Sequence, residues 1–317
     1  MDSLQEIAKQ LVAPGKGILA ADESLGTIEK RFLTINLQSN HETRLAYRKM
    51  LFDTPGVEEY ISGIIMFDET LRDKVLTNPN IIAGIKVDEG MKDMPGFPGD
   101  KLTDGLIGLN ERLIEYKALG AKFAKWRAAF LISEVNPSIQ SVEGNAERLA
   151  EYALLCQQNG IVPIVEPEIL MDGNHTIDRC YEVTRSVLKI VFIKLKDKKV
   201  DLSAILLKPN MILPGVESDK TTSDVIAQKT LEVLNDCVDQ IVPGIVFLSG
   251  GQTEEEATDN LREINKVGGK WELSFSFGRA LQNSALKTWN GKNENVANAQ
   301  QVFLARAKMN SLARYGK

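Results

Sequence analysis

The chain has 317 residues, 43% hydrophobic and 26% charged, an ordinary composition for a globular protein. Its 38 basic and 43 acidic residues leave a formal charge of −5, which excludes a sequence-wide attraction to nucleic acid or anionic membrane. No apolar run approaches the roughly 20 residues that cross a bilayer, and the start, Met1-Asp2-Ser3-Leu4-Gln5-Glu6, lacks the basic segment and apolar core of a signal peptide.

Cys156, Cys180 and Cys237 are widely spaced, without a CxxC, and read as packing residues of a reduced, cytoplasmic protein. In chain order, Ser3 caps a first helix whose Leu4, Ile7, Leu11 and Val12 share one face. The first strand is Gly17-Ile18-Leu19-Ala20-Ala21-Asp22-Glu23-Ser24, small and apolar, then abruptly acidic. A polar helical stretch over 38–52 leads to strands 61–67 and 81–88, the second ending Lys86-Val87-Asp88. A Gly/Pro-rich loop, Met94 to Gly99, precedes a helix over 106–119.

The fourth and fifth strands are 121–128 and 161–168, with a helix over 145–158 between them. A helix over 176–196 precedes Ala204-Ile205-Leu206-Leu207-Lys208-Pro209-Asn210. Proline stops that ladder and biases Lys208 towards extended backbone. A helix over 222–238 leads to strand 244–251, and Thr253 with Glu256 forms a capping box for a helix to 266. The last strand is 271–279, followed by helices over 280–289 and 294–314.

Eight short apolar strands alternating with helices, with no composition break, predict a TIM (β/α)8 barrel over 1–317 as one domain. No GxGxxG opens a helix after the first strand, which weighs against a dinucleotide fold. In a barrel the working residues stand at the C-terminal strand ends. Those ends carry Asp22, Lys86, Lys125, Arg127, Glu166, Glu168, Lys208, Ser249 and Arg279.

A single strand-end lysine ordinarily swings out to water, and a single charged pair is ordinarily a solvated rim. Six strands making the same change at the same end converge on one mouth. Lysines crowded together favour the free amine, which is a nucleophile, and nearby carboxylates can move its protons. The local excess of cations points to an anionic substrate. Ser249-Gly250-Gly251 and Gly278-Arg279 offer a hydroxyl, open backbone N–H groups and a guanidinium for phosphate.

These motifs, Gly17 to Ser24, Phe123 to Arg127, Val165 to Ile169, Leu206 to Asn210, Leu248 to Gln252 and Phe277 to Gln282, resemble those of class I fructose-1,6-bisphosphate aldolase, from about residue 4 to 315. The resemblance implies a lyase that cleaves fructose 1,6-bisphosphate into dihydroxyacetone phosphate and glyceraldehyde 3-phosphate. It implies Lys208 as the Schiff-base nucleophile and Glu166 as acid/base for the carbinolamine and imine. Asp22 would serve the C4 hydroxyl, with Lys125 as nearby positive charge and Glu168 as a supporting carboxylate. Ser249, Gly250, Gly251, Gly278 and Arg279 match the C1-phosphate site; Thr27, Arg31, Lys86 and Arg127 match the remote-phosphate region or its buttress.

Neither metal nor cofactor is implied, and the family implies a homotetramer in the cytoplasm; cytoskeletal and receptor-tail binding, known in the family, has no readable motif here. Leu25 and Phe277 stand where the family commonly has Thr and Tyr, and Leu312-Ala313-Arg314-Tyr315-Gly316-Lys317 carries no tyrosine-terminated tail. A metal-dependent aldolase would need several histidines at strand ends, whereas only His41 and His175 are present. A Schiff-base lyase on another ketose phosphate, or a catalytically weak barrel kept as a scaffold, stands as the alternative.

Overall fold

The computed structural model describes residues 2–317. In chain order the strands are β1 (Gly17–Ala21), β2 (Ile61–Met66) and β3 (Ile82–Lys86), then an antiparallel hairpin of β4 (Met91–Asp93) and β5 (Lys101–Thr103). They continue with β6 (Phe123–Phe130), β7 (Val162–Ile169), β8 (Leu206–Leu207), β9 (Gly244–Phe247) and β10 (Glu272–Phe277). All but the hairpin close into a parallel barrel in the order β1-β10-β9-β8-β7-β6-β3-β2. This is the TIM barrel that the alternation of elements predicts.

The helices are α1 (Leu4–Leu11), α2 (Leu25–Leu33), α3 (His41–Phe52), α4 (Asp68–Arg72), α5 (Leu109–Ala118) and α6 (Ile139–Gln158). The second half adds α7 (Ile177–Asp197), α8 (Ser223–Cys237), α9 (Glu254–Val267), α10 (Arg279–Trp289) and α11 (Val296–Ala313). Ile7, Leu11 and Val12 from α1 and its end cluster with Ile18, Ile65, Phe123 and Val246 from the strands. That cluster fills one end of the barrel, so the ionic residues are left to the other. Inside, the Phe123 ring lies against Gly84, where an added Cβ would come within 2.2 Å of it. Only glycine leaves the ring that space.

Both predicted caps form. Ser3 Oγ accepts from Glu6 N at 3.2 Å, and Thr253 Oγ1 accepts from Glu256 N at 3.1 Å.

The sequence reading passes over the helix at 25–33, holds for one loop and overextends one strand. The stretch 25–33 is helical, although Gly26 and Thr27 in its first turn and only two buried apolar anchors, Ile28 and Phe32, hide the signal. The Gly/Pro loop from Met94 to Gly99 is the tip of the β4–β5 hairpin. The strand expected from Ala204 to Lys208 shrinks to Leu206–Leu207, because 202–204 forms a short 3-10 turn. The chain nevertheless stays alongside its neighbours: Lys208 N donates to Val165 O at 2.8 Å, and Pro209 O accepts from Leu248 N at 3.1 Å. Lys208 is therefore extended, as its proline requires.

Candidate active site

Parallel register brings the strand ends together. Lys86 on β3 is paired with Lys125 on β6, and Arg127 on β6 with Glu166 on β7. Lys208 emerges just past β8, and Asp22 just past β1. Four of these side chains interlock. Lys208 Nζ lies 3.2 Å from Glu166 Oε1, Lys125 Nζ lies 3.4 Å from Glu166 Oε2, and Lys125 Nζ lies 2.7 Å from Asp22 Oδ2.

Lys125, Lys208 and Glu166 are all buried, so their charges interact with little screening by water. Burial alone would raise the Asp22 carboxyl, but Lys125, Lys208 and Lys86 outweigh it and hold Asp22 well below the usual carboxylate range. Burial likewise works against the Lys125 ammonium, while Asp22, Glu166 and Asp88 more than reverse it and hold that amine well above the ordinary lysine value. At rest Lys125 is thus a cation and Asp22 an anion. Glu166 Oε2 is buried and faces Lys125 without accepting a hydrogen bond.

A cavity of about 610 Å³ opens over this cluster. Asp22, Lys86, Lys125, Glu166 and Lys208 form its chemical floor. Arg127 and Glu168, ion-paired through the arginine Nε, stand beside them. Ser249, Gly250, Gly278 and Arg279 line another part of the wall.

There α10 begins at Gly278, whose carbonyl takes the amides of Leu281 and Gln282. The amides ahead of those have no partner within the helix and form a natural anion seat. Thr27 and Arg31 line a further stretch of the same wall. The Arg31 guanidinium is already engaged by Glu23 and by Gln282 Oε1 at 3.0 Å.

One predicted residue is set apart. Gly251 is in the left-handed region (φ +76°), where an added Cβ would come within 2.6 Å of Met171, and it lines a neighbouring cavity of about 440 Å³. Both histidines also lie elsewhere: His41 contacts Asp73 at 2.8 Å, and His175 sits in the loop after β7. Among the described residues no group of three or more His, Cys, Asp and Glu could hold a metal ion. Cys156 and Cys180 are buried as expected, whereas Cys237 is only partly so.

Sequence reasoning passed over three residues of this region. Glu23 bridges Arg31 and Arg48, pinning the loop after β1. Ser276 lines the cavity, buried, with no partner for its Oγ; two residues before Gly278, it was legible from the strand period. Asp88, read only as the end of its strand, ion-pairs Lys86 at 2.6 Å.

A closed parallel barrel whose C-terminal mouth holds a buried lysine, interlocked carboxylates and an anion seat is the architecture of a lysine-dependent carbon–carbon lyase. The family model for fructose-bisphosphate aldolase class-I matches residues 3–317. The cytoplasmic isozyme of Spinacia oleracea fructose-bisphosphate aldolase is 51% identical, spanning 100% of this chain and 92% of its own length. A probable class 1 fructose-bisphosphate aldolase of Xanthomonas axonopodis pv. citri is 47% identical over 100% of this chain and 98% of its own.

A solved ternary complex of Plasmodium falciparum fructose-bisphosphate aldolase with TRAP and a small-molecule inhibitor superimposes with a TM-score of 0.97. It is 50% identical and covers 99% of this chain and 94% of that one. The chain belongs to the class I fructose-bisphosphate aldolases. Its reaction is the reversible cleavage of fructose 1,6-bisphosphate to dihydroxyacetone phosphate and glyceraldehyde 3-phosphate.

Proposed function

We propose that Lys208 carries this reaction as the Schiff-base nucleophile, with Glu166 as its proton carrier and Asp22 as the group that deprotonates the C4 hydroxyl. The observation that carries the reading is the contact of Lys208 Nζ with Glu166 Oε1 at 3.2 Å, beside a second Glu166 oxygen with no hydrogen bond. The free Lys208 amine adds to the ketose C2 carbonyl. Glu166 then delivers a proton to the carbinolamine hydroxyl, which leaves as water and yields the protonated imine.

The imine withdraws the C3–C4 bonding pair as Asp22 takes the C4 hydroxyl proton. Glyceraldehyde 3-phosphate departs, and the enamine remains on Lys208. A carboxylate held as low as Asp22 is a weak base in isolation, so its proton transfer accompanies bond breaking. Protonation of the enamine at C3 and hydrolysis of the imine release dihydroxyacetone phosphate and restore the amine.

Lys125 offsets negative charge developing on the C4 oxygen, and Glu168 holds Arg127 at the wall. The α10 start, Ser249, Gly250 and Arg279 would seat the C1 phosphate, with Gly251 shaping the turn behind them. Lys86, Arg127, Thr27 and Arg31 would face the remote phosphate. Cytosolic residence is supported by relatives named as cytosolic isozymes, and a homotetramer follows from the family resemblance alone.

Borohydride trapping with dihydroxyacetone phosphate in EDTA, followed by peptide mass mapping, tests the assignment. A reduced adduct on Lys208 with cleavage persisting in chelator is expected. An adduct on a different lysine, or none alongside chelator-sensitive cleavage, refutes it.

A further inference from the structure

We propose that Asp88 is a positioning residue for the aldol step, holding Lys86 and Lys125 as one aligned cation pair and so leaving Glu166 free for the imine chemistry. The proposal rests on the reading of Lys208 and Glu166 above and names a residue behind the cavity wall. Asp88 follows β3 two residues after Lys86, which puts both on one side of the strand line. Its side chain is only 5% exposed. Oδ1 meets Lys86 Nζ at 2.6 Å and accepts from Gly90 N at 3.3 Å. Oδ2 lies 3.7 Å from Lys125 Nζ and accepts from Arg127 N at 3.3 Å. Each oxygen therefore carries one ammonium and one backbone amide, and the carboxylate bridges the ends of β3 and β6.

The carboxylates around Lys125 have different duties. From the end of β1, Asp22 faces it at 2.7 Å; from β7, Glu166 faces it at 3.4 Å, with Lys208 beyond Glu166 and Lys86 across from β3. Asp22 and Glu166 both exchange protons in the proposed cycle, so neither can serve as a constant counter-ion. Asp88 exchanges none.

Without Asp88, Lys86 keeps no carboxylate partner among the described residues, and Lys125, no longer held back at 3.7 Å by Asp88, closes its 3.4 Å ion pair with Glu166 Oε2 into a hydrogen bond. Glu166 would then be occupied when the carbinolamine needs its proton. A buried ion pair that merely ties two strands together would leave proton transfer untouched once the protein is folded. That difference is measurable.

Asp88→Asn keeps the shape and an acceptor for the amides while removing the charge. The expected result is a folded enzyme that still yields the reduced dihydroxyacetone phosphate adduct on Lys208. Its kcat for fructose 1,6-bisphosphate falls roughly 10–100-fold, and the rate at which the borohydride-trapped adduct accumulates falls with it, because Glu166 is occupied by Lys125 when the carbinolamine needs its proton. A folded Asp88→Asn enzyme with kcat, or the rate of adduct formation, within threefold of wild type overturns the proposal.

Asp88→Glu supplies the second reading if the asparagine variant fails to fold. It retains the charge and displaces it by one methylene, so kcat and the rate of adduct formation should both drop about tenfold; wild-type rates there overturn the proposal. Absence of the adduct from the wild-type enzyme removes the premise about Lys208 and the proposal with it.

Discussion

Replacing Glu166 with glutamine tests the division of labour at the centre of the site. The amide preserves volume and can still contact Lys208, but it cannot carry a proton. In the unperturbed site one carboxylate oxygen is 3.2 Å from Lys208 and the other 3.4 Å from Lys125, both buried. Lys125 keeps Asp22 at 2.7 Å and Asp88 at 3.7 Å after the change, so its ammonium is not abandoned and the fold should persist.

Loss of a positioned general acid costs about 10²–10⁴ in rate, which is about 3–5.5 kcal/mol at 1.36 kcal/mol per decade. The cost should fall on dehydration of the carbinolamine. Rapid mixing of Glu166→Gln with dihydroxyacetone phosphate, quenched with borohydride over time, should give the wild-type end-point of Lys208 adduct at a rate lower by roughly 10³. Adduct formation at the wild-type rate in a folded variant would remove Glu166 from the imine steps and leave it only a counter-ion.

Asp22→Asn should lower kcat by roughly 10²–10⁴ if Asp22 takes the C4 hydroxyl proton. Because folding holds the Asp22 carboxyl below its ordinary value, its ionisation stabilises the fold above about pH 4, and that stability drains away as pH falls further. The Asn variant should therefore lose less stability than wild type between about pH 4 and 2 by chemical denaturation, and an equal loss would contradict the assignment.

His175 is buried with neither ring nitrogen partnered, and burial pulls its basicity down. Stability should fall as pH drops through about 6.5, where the unfolded imidazole gains a proton that the folded one resists. His175→Leu should flatten that slope in thermal melts, and an unchanged slope refutes the reasoning. Gly84→Ala forces a methyl into the Phe123 ring and should cost roughly 1–3 kcal/mol, or about 2–4 °C in Tm per kcal/mol for a chain of this size. A melt matching wild type would show that the ring moves aside freely.

Much of this site is readable in the sequence because parallel barrels place chemistry at one strand end. An apolar run followed by Lys208-Pro209, or by Asp22-Glu23, states both the burial of the strand and the place where it meets the cavity. The reading weakens where the pattern is local but the cause is not. Nothing near residue 88 indicates that Lys125 arrives beside it: that follows from β3 pairing with β6 across the whole β4–β5 hairpin and α5. Ser276 shares the face of Gly278 by the strand period, but only the closed barrel shows that this face lines the cavity. The stretch 25–33 exposes Leu25 and Leu33, so its apolar residues mark no clean buried stripe.

The arrangement also explains how an acidic chain keeps a cationic pocket. Lys86, Asp88, Lys125, Glu166 and Lys208 alternate in sign along one line of contacts, with Asp22 set against the middle cation. Burying several ammonium groups together is tolerable only under such compensation. It also means that the floor of the cavity has little net charge to offer an arriving dianion. Beyond what Lys86 contributes, capture of phosphate must come from groups outside the alternation.

Arg279 is such a group: it is exposed at the start of α10 and pairs with no carboxylate among the described residues. The free amides of that helix start are another. Pairing thus separates the two tasks. Compensated charges on the floor supply proton transfer without attracting stray anions into it, and the uncompensated rim supplies affinity for the substrate's phosphates.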